Sequence, residues 1–163
     1  MVLLVPLAYA PTAQTTVKSP ASKFMINVVL KSDFIVWLMS NINRSSILHL
    51  LGVPLAIQAR MSPAEQVRLA KIIFPISQRQ AGLVNEEITG RDVQKPYPLE
   101  QIRVPTLTIS TADDPYNTFG GAKYTAEKIP GAKFIGLESG GHLFIGQEEK
   151  VRSEVVGFLR QHP

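Results

Sequence analysis

Two short segments place groups that can exchange a proton just beyond runs that read as strands. Thr106–Ser110 (TLTIS) is followed by Thr111-Ala112-Asp113-Asp114-Pro115, and Lys133–Glu138 (KFIGLE) by Ser139-Gly140-Gly141-His142-Leu143. A carboxylate bonded to one imidazole nitrogen fixes the tautomer and frees the other nitrogen to act as a general base. Asp114 and His142 are therefore the candidate acid and base. Each has a plainer reading when taken singly. Asp-Asp-Pro after a strand serves as a capped turn, and a histidine in a glycine loop is often structural or merely exposed. At two strand ends, one strand–helix unit apart, the pair together favours catalysis. His49 lies in a helical stretch and His162 is the penultimate residue, so neither has such a setting.

For Asp114 and His142 to meet, their strands must be adjacent and parallel. Thr118–Lys128 reads as a helix despite Gly120-Gly121, and Pro130-Gly131 as a turn. Gln147–Gln161 reads as a second helix with Val151, Val155, Phe158 and Leu159 on one face. Strand, helix, strand, helix predicts parallel strands joined by right-handed crossovers. In such sheets functional groups collect beyond the carboxyl ends of the strands. Val2–Leu7 adds a third strand. The predicted fold class is α/β, with about three parallel strands and a helical block inserted after the first. Residues 1–19 form a core strand and loop, 20–96 the helical insertion, and 97–163 the C-terminal α/β core.

Within the insertion, Ser22 is placed to cap a helix running into Phe24–Leu30. A second helix covers Asp33–Ile42, and Ser45-Ser46 opens a third that ends at Gly52. The clearest start is Met61-Ser62-Pro63-Ala64-Glu65: Ser62 as N-cap, Pro63 at the first helical position, Glu65 as the capping-box acid. That helix must stop before Pro75, because proline disfavours helix in the preceding residue.

Bulk composition excludes several classes. The chain is 45% hydrophobic and 18% charged over 163 residues, which is the balance of a globular domain with a real core. There is no cysteine, so there is no disulfide framework, thiolate metal site or cysteine nucleophile. The net charge of +4 comes from scattered residues without a basic stripe, which argues against a nucleic-acid partner. The apolar stretch Phe24–Met39 carries Lys31-Ser32-Asp33 at its middle, where a bilayer would penalise it, so no membrane span is expected. Met1–Ala10 fits a buried strand better than a secretory leader, because its apolar run is short, broken by Pro6 and preceded by no Lys or Arg. Cytoplasmic location is the expectation. No ligand cluster with metal spacing occurs, and neither metal nor cofactor is expected.

These residues resemble the α/β-hydrolase family. Val104-Pro-Thr-Leu-Thr-Ile-Ser-Thr-Ala-Asp-Asp-Pro115 is similar to that family's penultimate core strand and acid loop. Thr111 stands where the family often has glycine, and Asp114 falls on the catalytic acid. Ile129-Pro-Gly-Ala-Lys-Phe-Ile-Gly-Leu-Glu-Ser-Gly-Gly-His142 is similar to the last strand and histidine loop, with His142 on the catalytic base. Acid before histidine also agrees with the family's order. Residues 97–163 carry the resemblance. The helical block resembles the family's lid more loosely, and so does Phe74–Gly82, where Ser77 is an unlikely nucleophile.

The resemblance implies a hydrolase of an ester or similar small apolar substrate. Its nucleophile would sit in Gly-x-Ser-x-Gly, and no serine of this chain lies in that pattern. On this reading the chain is the C-terminal portion of the fold, and the N-terminal nucleophile half is missing. The exposed edge of Val2–Leu7 then recruits a partner strand through residues 2–8, from another copy or from an N-terminal piece. The alternative is a truncated, non-catalytic relative with a binding or assembly role.

Overall fold

The computed structural model describes residues 1–6, 9, 11, 29–90 (side chains to 85) and 97–162. The expectations for a Ser22-capped helix, for the loop through residue 19 and for Leu7 in the first strand lie outside those residues.

The segment Leu107-Thr-Ile-Ser-Thr111 alternates apolar with small polar side chains, and it forms strand β2 with all five residues buried. Strand β1 (Val2–Leu4) pairs parallel to it on one side, and β3 (Lys133–Leu137) on the other, in the order β1-β2-β3. The register sets Leu107 opposite Val2 and Lys133. Three parallel strands with helices between them make this an α/β protein, as the alternation predicts. β1 is shorter than its apolar run, and β2 lies one residue later than its sequence signal.

Side chains two apart on a strand share a face, so β2 presents different surfaces to its two layers. Leu107 and Ile109 join Leu137, Phe144 and Phe158 in one cluster, with Val151 and Val155 of the C-terminal helix packed on it. Thr108 and Ser110 face the opposite layer, the helix Thr118–Lys128. Thr108 Oγ1 donates to Ala122 O at 3.1 Å, and Ser110 Oγ lies 2.9 Å from Thr118 Oγ1. The Gly120-Gly121 pair that weakens the helical signal is explained here. Thr118, Gly121, Ala122, Thr125 and Ala126 are the buried residues of that helix, so only small side chains lie on the side packed against the sheet.

The helical block lies between β1 and β2 in the chain. In order it contains α1 (Asp33–Ile42), α2 (Arg44–Leu50), α3 (Leu55–Gln58), α4 (Pro63–Ala70) and α5 (Gln80–Gly90), with one 3-10 turn before α1 and two between α4 and α5. The helices flanking β3 are then α6 (Thr118–Lys128) and α7 (Glu148–Gln161). Ser32 caps α1, which starts and stops at the residues its apolar pattern indicates. For α2 the cap is Asn43, whose side chain accepts from Ser46 N, rather than Ser45 or Ser46. The α4 capping box is complete: Ser62 Oγ accepts from Glu65 N at 3.3 Å, and the Glu65 carboxylate accepts from Ser62 N at 2.8 Å. The α-helix ends at Ala70 and a 3-10 turn carries the chain to Ile73, short of Pro75.

The block has its own core of Leu30, Val36, Ile47, Leu48, Val53, Ile73 and Ile76, all buried. Each such side chain contributes about 1.5–3 kcal/mol by leaving water. A buried amide ties its turns together. Gln58 Nε2 donates to Val53 O at 2.8 Å, and its Oε1 accepts from Ser45 Oγ at 2.6 Å. Ser77 is fastened to the start of α1: its hydroxyl donates to Asp33 Oδ2 at 2.5 Å and its N–H to Asp33 Oδ1 at 3.1 Å. Those bonds occupy the hydroxyl of Ser77 in a structural contact.

The Ser77 bonds hold the Asp33 carboxyl below its ordinary pKa of 3.8. A lowered folded-state value stabilises the fold above the unfolded pKa and stops doing so as pH falls through the folded one. Asp33→Asn is therefore expected to lower the urea midpoint at neutral pH, and the difference from the parent is expected to vanish in acid. A deficit that persists unchanged in acid would assign the effect to packing instead.

Candidate active site

β2 and β3 end at the same edge of the sheet, and the loops beyond them carry the two groups singled out by sequence. Asp114 follows β2 after one turn. His142 follows β3 after Gly140-Gly141. The structure brings them together: His142 Nδ1 lies 2.9 Å from Asp114 Oδ2. The carboxylate side chain is fully buried, and the imidazole is 31% exposed.

Burial of a carboxylate requires that its lone pairs be met. Asp114 Oδ1 accepts from Tyr116 N at 2.9 Å, and Oδ2 accepts from the Thr118 hydroxyl as well as from the imidazole. Because a carboxylate only accepts, Thr118 spends its proton on Asp114, and Ser110 must donate to Thr118 in turn. The same logic assigns the histidine. Nδ1 carries the proton that Asp114 accepts, so in the neutral ring Nε2 holds a free lone pair. Among the described residues, Nε2 has no hydrogen-bond partner. An imidazole held this way can take up a proton through Nε2.

The loop that carries His142 is positioned by residues that sequence reasoning passed over. Asp113 points away from Asp114 and accepts from Gly140 N at 3.2 Å and Gly141 N at 2.9 Å. Thr111 Oγ1 donates to Gly141 O at 2.9 Å. Thr111 stands where the family often has glycine, and here its hydroxyl ties the acid strand to the histidine loop. Tyr116 lays its ring 4.7 Å from the imidazole, centre to centre, and its hydroxyl donates to Leu50 O at 2.6 Å.

That last bond crosses to the helical block, and the crossing is built on glycine. Past the end of α2, Gly52 N donates to His49 O and Val53 N to Leu48 O, the paired closure of a Schellman motif. Gly52 has φ +75°, and its carbonyl accepts from His142 N at 2.9 Å. A Cβ on Gly52 would sit 2.3 Å from His142 Cβ. One on Gly141 would sit 2.4 Å from Pro54 Cδ. The turn between α2 and α3 is therefore pressed directly against the base, and Leu143 next to it packs on the helical core. The Leu-Gly-Val-Pro signal was legible as a helix end, but nothing in it announced its partner.

The remaining histidines are elsewhere. His49 lies on α2, and His162 Nδ1 lies 2.9 Å from Phe158 O at the end of α7.

The model of the serine hydrolase family matches residues 36–150, which span the helical block and both loops. The chain belongs to the serine hydrolase family. A comparison with curated proteins found no match.

Gly52→Ala is expected to destabilise the fold by more than Gly146→Ala. Both positions have φ +75°, but a Cβ on Gly146 meets nothing within 4 Å. Gly146→Ala should cost only the left-handed backbone strain, about 1–2 kcal/mol. Gly52→Ala should add the clash with His142, for a total of about 3 kcal/mol or more. Urea unfolding of the two variants checks this, and equal losses would show that the turn yields without moving the histidine.

Proposed function

We propose that this chain supplies the acid and base of a serine-hydrolase triad acting on an ester or similar small apolar substrate. Asp114 holds His142 in the Nδ1–H tautomer. Nε2 takes the proton of an attacking serine and later returns it to the leaving group. The observation that carries this reading is the 2.9 Å bond between His142 Nδ1 and a fully buried, otherwise satisfied Asp114, with Nε2 left open. The helical block acts as a lid whose turn at Gly52 abuts the base.

No serine of the chain lies in Gly-x-Ser-x-Gly, so the nucleophile on this reading comes from polypeptide outside these residues. The place for it is beside β1. An unpaired strand edge presents backbone donors and acceptors to which another strand can add. β1 lies at one edge of the three-stranded sheet, with Leu4 exposed. A strand added there through residues 2–8 extends the sheet, whether from an N-terminal piece carrying the serine or from another copy.

The missing serine motif also favours a second reading, a non-catalytic relative kept for binding or assembly. Turnover of a chromogenic short-chain ester separates the two. In the assembly that contains the nucleophile, His142→Ala and Asp114→Asn are each expected to reduce kcat by roughly 10³-fold or more, with little change in KM. The same activity in the parent and in His142→Ala would overturn the catalytic reading. Absence of ester turnover from any assembly of the chain would support the second.

A further inference from the structure

Helix α1 is apolar on the side turned away from its own core. Val36 is buried and Met39 packs on the helical cluster, which defines the inner face. At 3.6 residues per turn, Phe34, Trp37, Leu38 and Asn41 lie opposite. Phe34 is 66% exposed, Trp37 53%, Leu38 40% and the flanking Ile42 77%. Phe34 and Trp37 stack with ring centres 6.0 Å apart.

The polar groups nearby are already bonded within the chain. Asn41 Nδ2 and Ser40 Oγ both donate to Trp37 O at 2.7 Å, and the Asp33 carboxylate is spent on Ser77. A surface helix normally carries charge on its outer side, and one that is apolar all round is normally covered. Scattered exposed apolar residues need no explanation, but a contiguous patch with two stacked aromatics does.

We propose that the outer face of α1 pairs with the same face of a second copy of this chain. The size fits. The four side chains with flanking Ile35 expose about 500 Å² of apolar surface per protomer, so a twofold pairing covers on the order of 1,000 Å², the lower bound for a specific interface. The chemistry fits as well. Phe34, Trp37, Leu38 and Ile42 carry no charge, so bringing two copies of this face together sets no like charges of those residues opposite each other. A lipid surface is less well matched, because interfacial helices carry Lys or Arg on their polar side and α1 has neither between Asp33 and Ile42. This surface is separate from the β1 edge, and the pairing does not depend on the catalytic reading.

Trp37 is the single tryptophan of the chain, so its emission reports on this face alone. Sedimentation across a wide concentration range is expected to show a monomer–dimer equilibrium, with a blue shift of Trp37 emission following the dimer. Phe34→Glu and Leu38→Glu, both at exposed positions, are expected to keep the far-ultraviolet spectrum of the parent. Each should weaken dimerisation roughly tenfold or more. A monomer at every concentration overturns the proposal. So does a dimer that survives both substitutions, which would place the contact elsewhere. A monomer whose Trp37 emission shifts only with phosphatidylcholine–phosphatidylglycerol vesicles overturns it in favour of a lipid surface.

Discussion

A fully buried carboxylate has to be met on every side, and the requirements of Asp114 organise the carboxyl end of this sheet. Tyr116 N, the Thr118 hydroxyl and His142 Nδ1 all converge on it. Each of these donors is fixed by something else. Thr118 opens α6 and accepts a hydrogen bond from the Ser110 hydroxyl of β2, while Tyr116 is anchored through its hydroxyl to Leu50. Leaving such a group unsatisfied would cost more than any one of these bonds contributes, so the network holds together or fails together. The orientation of the imidazole follows from that constraint and from its neighbours.

The same edge joins two hydrophobic cores that are otherwise separate. One is built from β2, β3 and α7, the other from the helices between β1 and β2. They meet where Gly52 O accepts from His142 N, where Pro54 lies against Gly141, and where Leu143 packs on the helical cluster. The turn between α2 and α3 forms one wall of the histidine loop, so a shift of α2 relative to the sheet would move His142 as well. Asp113 and Thr111 resist such a shift from the sheet side, through the backbone of Gly140 and Gly141.

Much of this was legible before any coordinates. The β-branched run near Leu107–Thr111, the short apolar run near Lys133–Leu137 and the turn residues after each are local signals, and parallel pairing follows from the alternation with helices. Those signals were enough to bring Asp114 and His142 to one edge. The capping box at Ser62 and the span of α1 were likewise local. What remained hidden was non-local. Asp114 was marked as the partner of His142, but only the fold shows that its neighbour Asp113 holds the backbone of the histidine loop. Gly52 marks a helix end in any sequence, yet its role depends on His142, ninety positions along. Asn43 displaced Ser45 and Ser46 as the cap of α2, since several adjacent residues could do that job and sequence does not rank them. The outward face of α1 was also ambiguous, because an apolar run looks the same whether it is covered by its own chain or by another.

The account rests on the proton between His142 and Asp114, and its location can be measured directly. Histidine labelled with the heavy nitrogen isotope reports the tautomer of each of the three rings by nuclear magnetic resonance. The account requires His142 to be the Nδ1–H tautomer in its neutral state, with Nε2 unprotonated, and to lose that tautomer in Asp114→Asn. A neutral His142 protonated at Nε2, and unchanged by Asp114→Asn, would contradict it.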